Sequence, residues 1–293
     1  MSFKVLTDTS SNLPARICKK YDIDVVPFHF YINGVEEPYV DIEEFDGPMF
    51  YKKIRKGAVV TTSQINPSNY SDFFETYLAQ GLDVLYVSMA SGISSSFASA
   101  NIAANELREK YPDRTISIID SMTASLGEGI PAIRAAECRE KGMSIDETTV
   151  FMKKLCTRTH SVFTVDDLMC LKRGGRLSNL GAVAGILLNI KPILKGSEKA
   201  TIVSIAKVRG RKHSIEALAE RYNRLVRNPD LQTVGIAHAD CQEDADYLIS
   251  LINKVHPPKE ILTVMYEPVT GAHVGPGALA LFFEAFDGVR LEN

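Results

Sequence analysis

The first half of the chain alternates short apolar runs with stretches whose apolar positions recur at a helical period. The apolar runs predict β-strands at 3–6, 83–88 and 115–119. The periodic stretches predict α-helices at 13–21, 68–79, 97–110 and 124–140. A further strand of the same sheet is predicted for DVVPFHFYI at 24–32. Strands that alternate with helices are typical of a mainly parallel sheet with flanking helices.

The second half shows a similar alternation after a helical stretch at 145–156, which bridges the two halves. Strands are predicted at 160–165, 190–195, 200–207, 233–238 and 261–266. Helices are predicted at 178–188, 213–227, 243–254 and 276–286. We therefore expect two α/β domains: residues 1–157 with the parallel sheet, and residues 158–293 with a two-layer arrangement. The cleft between them is the expected place for a small-molecule site.

Composition and charge narrow the class of protein. The 293 residues are 45% hydrophobic and 24% charged, as in an ordinary folded soluble protein. A net charge of -3 gives no electrostatic case for a nucleic-acid partner. No apolar run reaches the ~18 residues that span a bilayer, and MSFKVLTDTS predicts a first strand rather than a signal peptide. We expect a soluble cytoplasmic monomer.

Cysteine and histidine spacing argue against a metal or cofactor site. The five cysteines are scattered without a C-x-x-C pair, which favours reduced thiols over disulfides or zinc. The histidines lack metal-ligand spacing, and HADC at 238–241 is only a weak candidate. The sequence contains no Walker loop, dinucleotide fingerprint or H-E-x-x-H motif.

The stretch LKRGGRLSNLGAVAGILLNIKPIL, residues 171–194, joins a basic glycine turn to an apolar segment. Ser178 is a good N-cap for a helix at 178–188 that is apolar on nearly every side. One interpretation is a core helix packed on a neighbour. The other is that one face lines an apolar cavity, with Lys172, Arg173 and Arg176 at the surface near its mouth.

Two segments rich in hydroxyl groups follow predicted strands or precede predicted helices. In VVTTSQINPSNY the adjacent Thr61, Thr62 and Ser63 either make turn bonds to the backbone or present donors to a ligand oxygen. In SMASGISSSFASA a strand end leads through serines, Ser94 and Ser95 among them, into a helix N-terminus. Since one serine is enough for capping, the pattern favours an anion site here.

Three further places combine polar side chains with strand ends or turns. Asp8 in TDTSSNLP and Asp120 in IIDSMTASLGEG end predicted strands, and for Asp8 structural support is the favoured role. His273 in TGAHVGPGALALFF precedes a Gly-Pro-Gly turn and a predicted apolar helix. A lone histidine is more often structural than reactive. The combination of hydroxyls at strand ends with two apolar helices is nevertheless what an amphiphile with one acidic head requires.

These segments together resemble the DegV family of bacterial proteins. The resemblance rests on motifs in family order along nearly the whole chain: TDTSSNLP, TTSQINPS, SGISSSFASA, DSMTASLGEG, LKRGGRLSNLGAVAGILLNIKPIL and HVGPGAL. It implies a two-domain α/β protein that holds a long-chain fatty acid, such as palmitate, stearate or oleate, between its domains. It also implies that a separate ATP-dependent fatty acid kinase subunit phosphorylates the carboxylate to an acyl phosphate for phospholipid synthesis, with transient membrane contact left open.

The resemblance assigns roles to individual residues. The carboxylate-binding threonine of the T-S-Q motif is Thr62, with Ser63 beside it, and the head-group serine is Ser94. The glycine that usually follows that serine is Ser95 here. Ligand-binding candidates are therefore Thr62, Ser63, Ser94, Ser95 and His273. Partner-docking candidates are Arg176 of the G-G-R motif and Arg209 of the R-G-R-K segment, both expected outside the site.

The leading hypothesis is a binding protein without chemistry of its own. One alternative is a serine hydrolase of lipid esters, with Ser94 as nucleophile and His273 as base; the G-x-S-x-G elbow lacks its second glycine. The other is a regulatory module in which the lipid is only a structural filler.

Overall fold

The structure is a computed structural model that describes residues 3–38, 41–177 and 189–292. Its first half contains seven strands: β1 (Phe3–Asp8), β2 (Ile23–Val26), β3 (His29–Ile32), β4 (Val35–Glu37), β5 (Val60–Ser63), β6 (Asp83–Ser88) and β7 (Ile116–Asp120). The helices there are α1 (Ala15–Tyr21), α2 (Gly47–Arg55), α3 (Pro67–Leu78), α4 (Ser96–Lys110), α5 (Leu126–Glu140) and α6 (Ile145–Arg158).

Four strands of the first half form a parallel sheet in the order β2-β1-β6-β7. Every residue of β1 and of β6 is buried, as expected for central strands of a parallel sheet that helices cover on both faces. The carboxyl ends of β1, β6 and β7 therefore meet at one edge. This sheet confirms the predicted α/β class of the first half.

The strand predicted at 24–32 is two strands in two sheets. β2 belongs to the parallel sheet, whereas β3 is the middle strand of an antiparallel sheet with β4 and β5. Pro27 separates them and lacks the N–H group that a continuous strand would use for pairing. In the small sheet Thr62 lies opposite Phe30, so its position is fixed by strand pairing.

The second half has six strands: β8 (Thr159–Thr164), β9 (Ile190–Gly196), β10 (Ile202–Arg209), β11 (Thr233–His238), β12 (Glu260–Met265) and β13 (Leu279–Glu284). Its helices are α7 (Met169–Arg173), α8 (Arg211–Leu225), α9 (Gln242–Val255) and α10 (Pro268–Val274). The strands form one mixed sheet in the order β10-β9-β8-β13-β11-β12. One face packs on α8 and α9, and the other faces the parallel-sheet half.

The helix predicted at 276–286 is wrong, because residues 279–284 form the strand β13. β13 lies between β8 and β11 and pairs antiparallel with both. A central strand is covered on both faces, so LALFFE is apolar throughout and has no alternation that would reveal a strand. Gly275 and Gly277, with φ of +77° and +78°, hold backbone conformations that end the preceding helix.

Two other predictions have different outcomes. The helix predicted at 178–188 lies outside the described residues. The division between residues 157 and 158 stays a prediction; in the structure α6 ends at Arg158 and β8 begins at Thr159. Among the described residues no helix is long and apolar enough to cross a membrane.

Candidate ligand-binding site

A cavity with about 1060 Å³ of empty space, part of it open to solvent, lies between the two halves. One side is formed by the loops that follow β5, β6 and β7, and the other by β8, β9, β13 and α10. Most of the lining is apolar: Phe28, Met89, Ile93, Phe163, Leu171, Ile202, Val274 and Phe282 are examples. Its size and lining are typical of a small-molecule site.

A hydrogen bond between Thr62 and His273 marks the polar end of this cavity. Thr62 Oγ1 lies 2.9 Å from His273 Nε2, and both side chains line the cavity. The imidazole also lies against the Gly174 backbone, where an added Cβ would come 2.3 Å from Nδ1. A side chain at position 174 would therefore displace the ring.

The imidazole of His273 is neutral at pH 7. Burial, and then the positive charge of Arg176, lower its pKa to about 4. With Thr62 donating to Nε2, the ring would carry its hydrogen on Nδ1; with the other tautomer it donates to Thr62. In either case the pair is an uncharged group, able to meet a ligand oxygen through hydrogen bonds alone.

Ser94 and Ser95 lie in the loop between β6 and α4, which also lines the cavity. The hydroxyl oxygen of Ser94 accepts from the Ser96 amide at 3.2 Å, so its own hydrogen is left to donate. Gly92 holds this loop against the second half: an added Cβ would lie 2.5 Å from the Lys199 carbonyl oxygen. Glycine at 92 permits the close approach that brings Ser94 to the cavity.

All five ligand-binding candidates line this one cavity: Thr62, Ser63, Ser94, Ser95 and His273. Their direct role in holding a ligand stays a prediction. The structure also places Ser94 and His273 differently from a nucleophile and its base. Among the described residues His273 Nε2 hydrogen-bonds Thr62, and Ser94 Oγ hydrogen-bonds the Ser96 amide.

Arg176 lies in the cavity wall and is partly buried, so its expected location outside the site is wrong. Its Nε donates to the Ile93 carbonyl at 3.1 Å, and Nη1 donates to the Gly174 carbonyl. The guanidinium therefore ties the loop of Ser94 to the turn beneath His273. Burial lowers the pKa of Arg176, which nevertheless stays charged at neutral pH.

Arg209 is exposed at the end of β10 and does not belong to the cavity lining that the described residues form. Its expected place at the surface is thus observed, and its docking role stays a prediction. Within the described ranges no group of three His, Cys, Asp or Glu side chains is arranged to hold a metal ion. The five cysteines are free thiols.

Beneath the cavity the structure buries a second polar group, which we call the acid cluster: Thr7, Asp8, Ser10, Tyr86 and Glu128. Ser10 Oγ lies 2.5 Å from an Asp8 carboxyl oxygen and 2.7 Å from a Glu128 carboxyl oxygen. Thr7 Oγ1 lies 2.9 Å from the other Glu128 oxygen and 3.0 Å from the Val87 carbonyl oxygen, so these are four contacts in one chain. The hydroxyls of Ser10 and Thr7 supply one hydrogen each, while carbonyl and carboxylate oxygens only accept. A proton on one carboxyl group supplies a third hydrogen, and the Thr7 hydrogen is shared between Glu128 and the Val87 carbonyl.

The contacts favour Glu128 as the holder of that proton. Asp8 also accepts from the Tyr86 hydroxyl at 2.6 Å and the Ser10 amide at 2.9 Å, and these bonds favour its charged form. Burial raises the pKa of both carboxyl groups, and the charge of Asp8 raises that of Glu128 further. The acid cluster thus holds one negative charge and satisfies it internally.

Helix α10, which carries His273, is absent from the sequence predictions. It begins at Pro268 after Glu267, whose buried carboxylate accepts from the Val269 and Thr270 amides. Burial raises the pKa of Glu267 to about 7. The sequence signal was present, because an acidic N-cap followed by proline marks a helix start.

Asn12 joins this helix to the parallel-sheet half. Its amide nitrogen donates to the Met265 carbonyl at 2.9 Å, and its oxygen accepts from Ser125 and from the Glu267 amide. The residue has φ of +60°, a left-handed conformation that asparagine tolerates better than most residues. The carboxyl end of β1, the loop after β7 and the start of α10 are therefore held together.

Comparison with known proteins agrees with this architecture. A family model described as an uncharacterised protein of the DegV family matches residues 2–285. DegV domain-containing protein CPE0026 of Clostridium perfringens is 38% identical over 283 residues, which cover 96% of this chain and 97% of that protein. DegV domain-containing protein SPs1668 of Streptococcus pyogenes is 32% identical, covering 96% of this chain and 98% of that protein.

Solved structures show the same fold over nearly the full chain. A DegV family protein from Thermus thermophilus, described by its fatty acid binding, superposes with a TM-score of 0.88 at 27% identity, covering 98% of this chain and 100% of that one. The fatty acid binding DegV family protein SAG1342 from Streptococcus agalactiae superposes with a TM-score of 0.85 at 28% identity, covering 98% and 99%. The chain therefore belongs to the DegV family.

Proposed function

We propose that this protein binds one long-chain fatty acid, with the acyl chain in the apolar cavity and the carboxylate at Thr62, Ser94 and His273. The observation that carries the proposal is that one cavity has a mostly apolar wall and, at one end, uncharged hydrogen-bonding groups. The relatives described as fatty acid binding support the ligand class.

The energetics of such a ligand suit this cavity. Each buried methylene contributes roughly 0.8 kcal/mol, so a chain of about sixteen carbons supplies over ~10 kcal/mol before the costs of association. The head group then needs orientation more than strong attraction. Hydroxyls and a neutral imidazole orient it, and the half-buried charge of Arg176 opposes the rise in pKa that burial alone would give the carboxylate.

We further propose that the protein is not itself an enzyme. It presents the bound carboxylate to a separate ATP-dependent kinase subunit, which forms the acyl phosphate. Thr62 and His273 also line a neighbouring hollow together with Arg173 and Arg176 of the basic turn. Arg209 adds an exposed cation on β10 for docking a partner. The division into two domains with the ligand between them belongs to the same proposal.

Native mass spectrometry of the freshly purified protein, with lipid extraction of the same sample, tests the first step. We expect an added mass of one fatty acid per chain, reduced in Thr62→Ala and Ser94→Ala. A ligand-free mass, together with no uptake of added palmitate, stearate or oleate, would contradict fatty acid binding.

The second step needs a reconstituted assay with a fatty acid kinase subunit and ATP. Acyl phosphate should form only when both proteins are present, and Arg209→Ala should lower its rate while lipid stays bound. Labelling of Ser94 by a fluorophosphonate probe would instead support a hydrolase. Lipid that is never modified would support a regulatory module.

A further inference from the structure

A second cavity, with about 980 Å³ of empty space, part of it open to solvent, lies on the far side of Phe282. Its lining is half polar; the apolar half includes Leu126, Ile130, Ile133, Leu155 and Phe283. Among the described residues Phe282 alone lines both cavities. Phe282 is only 4% exposed, so it lies between the two cavities rather than at the surface.

Three residues next to Phe282 are small. Phe282 pairs with Ser161 on β8 and with Gly235 on β11, and these neighbours share its face of the sheet. Across from the sheet lies Gly127 of α5, where an added Cβ would come 2.7 Å from the Phe282 ring. One large side chain therefore fills a slot made by a serine and two glycines, none of which can fill the slot if the ring is removed.

We infer that Phe282 sets the upper limit on the acyl chain length by closing the first cavity against the second. The inference rests on the proposed fatty acid binding and deepens it. The acyl chain starts at the hydroxyl groups and ends at the ring of Phe282. On the side of the second cavity, Leu126, Ile130 and Ile133 offer apolar contacts beyond the ring, whereas polar and charged side chains such as Arg134 and Lys259 line other parts of it. A longer chain would enter along these apolar side chains if the ring were absent.

The test compares palmitate with behenate, a saturated acid with a longer chain, by competition binding to the delipidated full-length protein. Each additional buried methylene strengthens binding roughly fourfold. Wild-type protein should bind behenate at least about tenfold more weakly than palmitate, because the added carbons have no room. Phe282→Ala should remove or reverse that preference, and Phe282→Leu should move it part of the way.

Phe163→Ala is the matched control. Phe163 lies on β8, on the same sheet face, and lines only the first cavity. The control should weaken both acids without reversing the preference. The inference is overturned if the folded Phe282→Ala variant keeps the wild-type preference for palmitate. If that variant does not fold, an unchanged preference in Phe282→Leu overturns the inference. An equal shift of the preference in Phe163→Ala also overturns it. Wild-type protein that binds no fatty acid overturns the proposed function itself.

Discussion

Two polar groups lie near the carboxyl edge of the parallel sheet, and they are built in opposite ways. The acid cluster is fully buried and makes its hydrogen bonds inside the core, from Tyr86 through Asp8 and Ser10 to Glu128. The group around Thr62, Ser94 and His273 is only partly buried and faces a cavity. Polar groups that satisfy one another inside the core thus contribute to stability, whereas donors that face a cavity are available to bind a ligand.

The comparison predicts that variants of the acid cluster change stability rather than affinity. Asp8→Ala should lower the free energy of unfolding by roughly 3 to 5 kcal/mol, since the Tyr86 hydroxyl and the Ser10 amide lose their acceptor and a small cavity is left. Denaturant unfolding measures this loss. Fatty acid affinity of the folded fraction should stay within about threefold of wild type.

Isosteric variants separate the two carboxyl groups of the cluster. Glu128→Gln should cost less than about 1 kcal/mol, because the amide donates as the protonated carboxyl group does. Asp8→Asn should cost more, since it removes a charged acceptor from two buried donors. If Glu128→Gln is the costlier change, the shared proton resides on Asp8 instead.

The next prediction concerns Glu267, which starts the helix of His273. Its pKa is raised to about 7 in the folded protein, above the ordinary value near 4.3 of an unfolded glutamate. The folded state therefore holds a proton that the unfolded state has lost. Its contribution to stability is fully present below pH ~4 and disappears as the pH rises through ~7, a change of roughly 3 to 4 kcal/mol.

Glu267→Gln should remove that part of the pH dependence. The difference in unfolding free energy between wild type and variant, measured from pH 4 to pH 8, isolates Glu267 from Asp8 and Glu128, whose raised pKa values act in the same direction. A difference that stays constant with pH would show that Glu267 is ionised throughout.

The cavity-facing group should behave in the opposite way. Ser94→Ala and Thr62→Val should each weaken fatty acid binding about tenfold to a hundredfold, as expected for a hydrogen bond to a charged oxygen. Their unfolding free energies should stay within about 0.5 kcal/mol of wild type, since both residues are partly exposed. Variants that lose stability but keep their affinity for fatty acid would show that Ser94 and Thr62 are structural residues rather than ligand-binding ones.

Sequence patterns predicted the hydroxyl segments of the cavity better than they predicted its walls. Ser94 follows a buried strand and Thr62 lies in a short run of hydroxyls, and strand pairing together with sheet topology brings both to one cavity. For Ser94 local spacing contains this information, because the carboxyl ends of parallel strands converge. Thr62 reaches the cavity through the antiparallel pairing of β5 with β3. Asp8, for which the pattern favoured structural support, is indeed buried in the acid cluster.

The walls depended on tertiary contacts that local patterns do not record. β13 is apolar on both faces and was predicted as a helix. The pairing of Phe282 with a glycine on one neighbouring strand and a serine on the other could therefore not be predicted from the sequence. Arg176 lies in the cavity wall because its guanidinium bonds to Ile93, which is 83 residues away along the chain. Neither contact can be inferred from the spacing of residues that are neighbours in the sequence.

The smallest predicted effect is also the most direct probe of the cavity's electrostatics. His273 should titrate with a midpoint near pH 4, because burial and the charge of Arg176 lower its pKa to about 4. NMR of the labelled imidazole would follow this midpoint, with His273→Asn assigning the signal. In Arg176→Lys the midpoint should stay low, whereas Arg176→Ala should raise it. A midpoint near 6.5 would mean that the imidazole is solvated, and a charged histidine would then take part in holding the carboxylate below that pH.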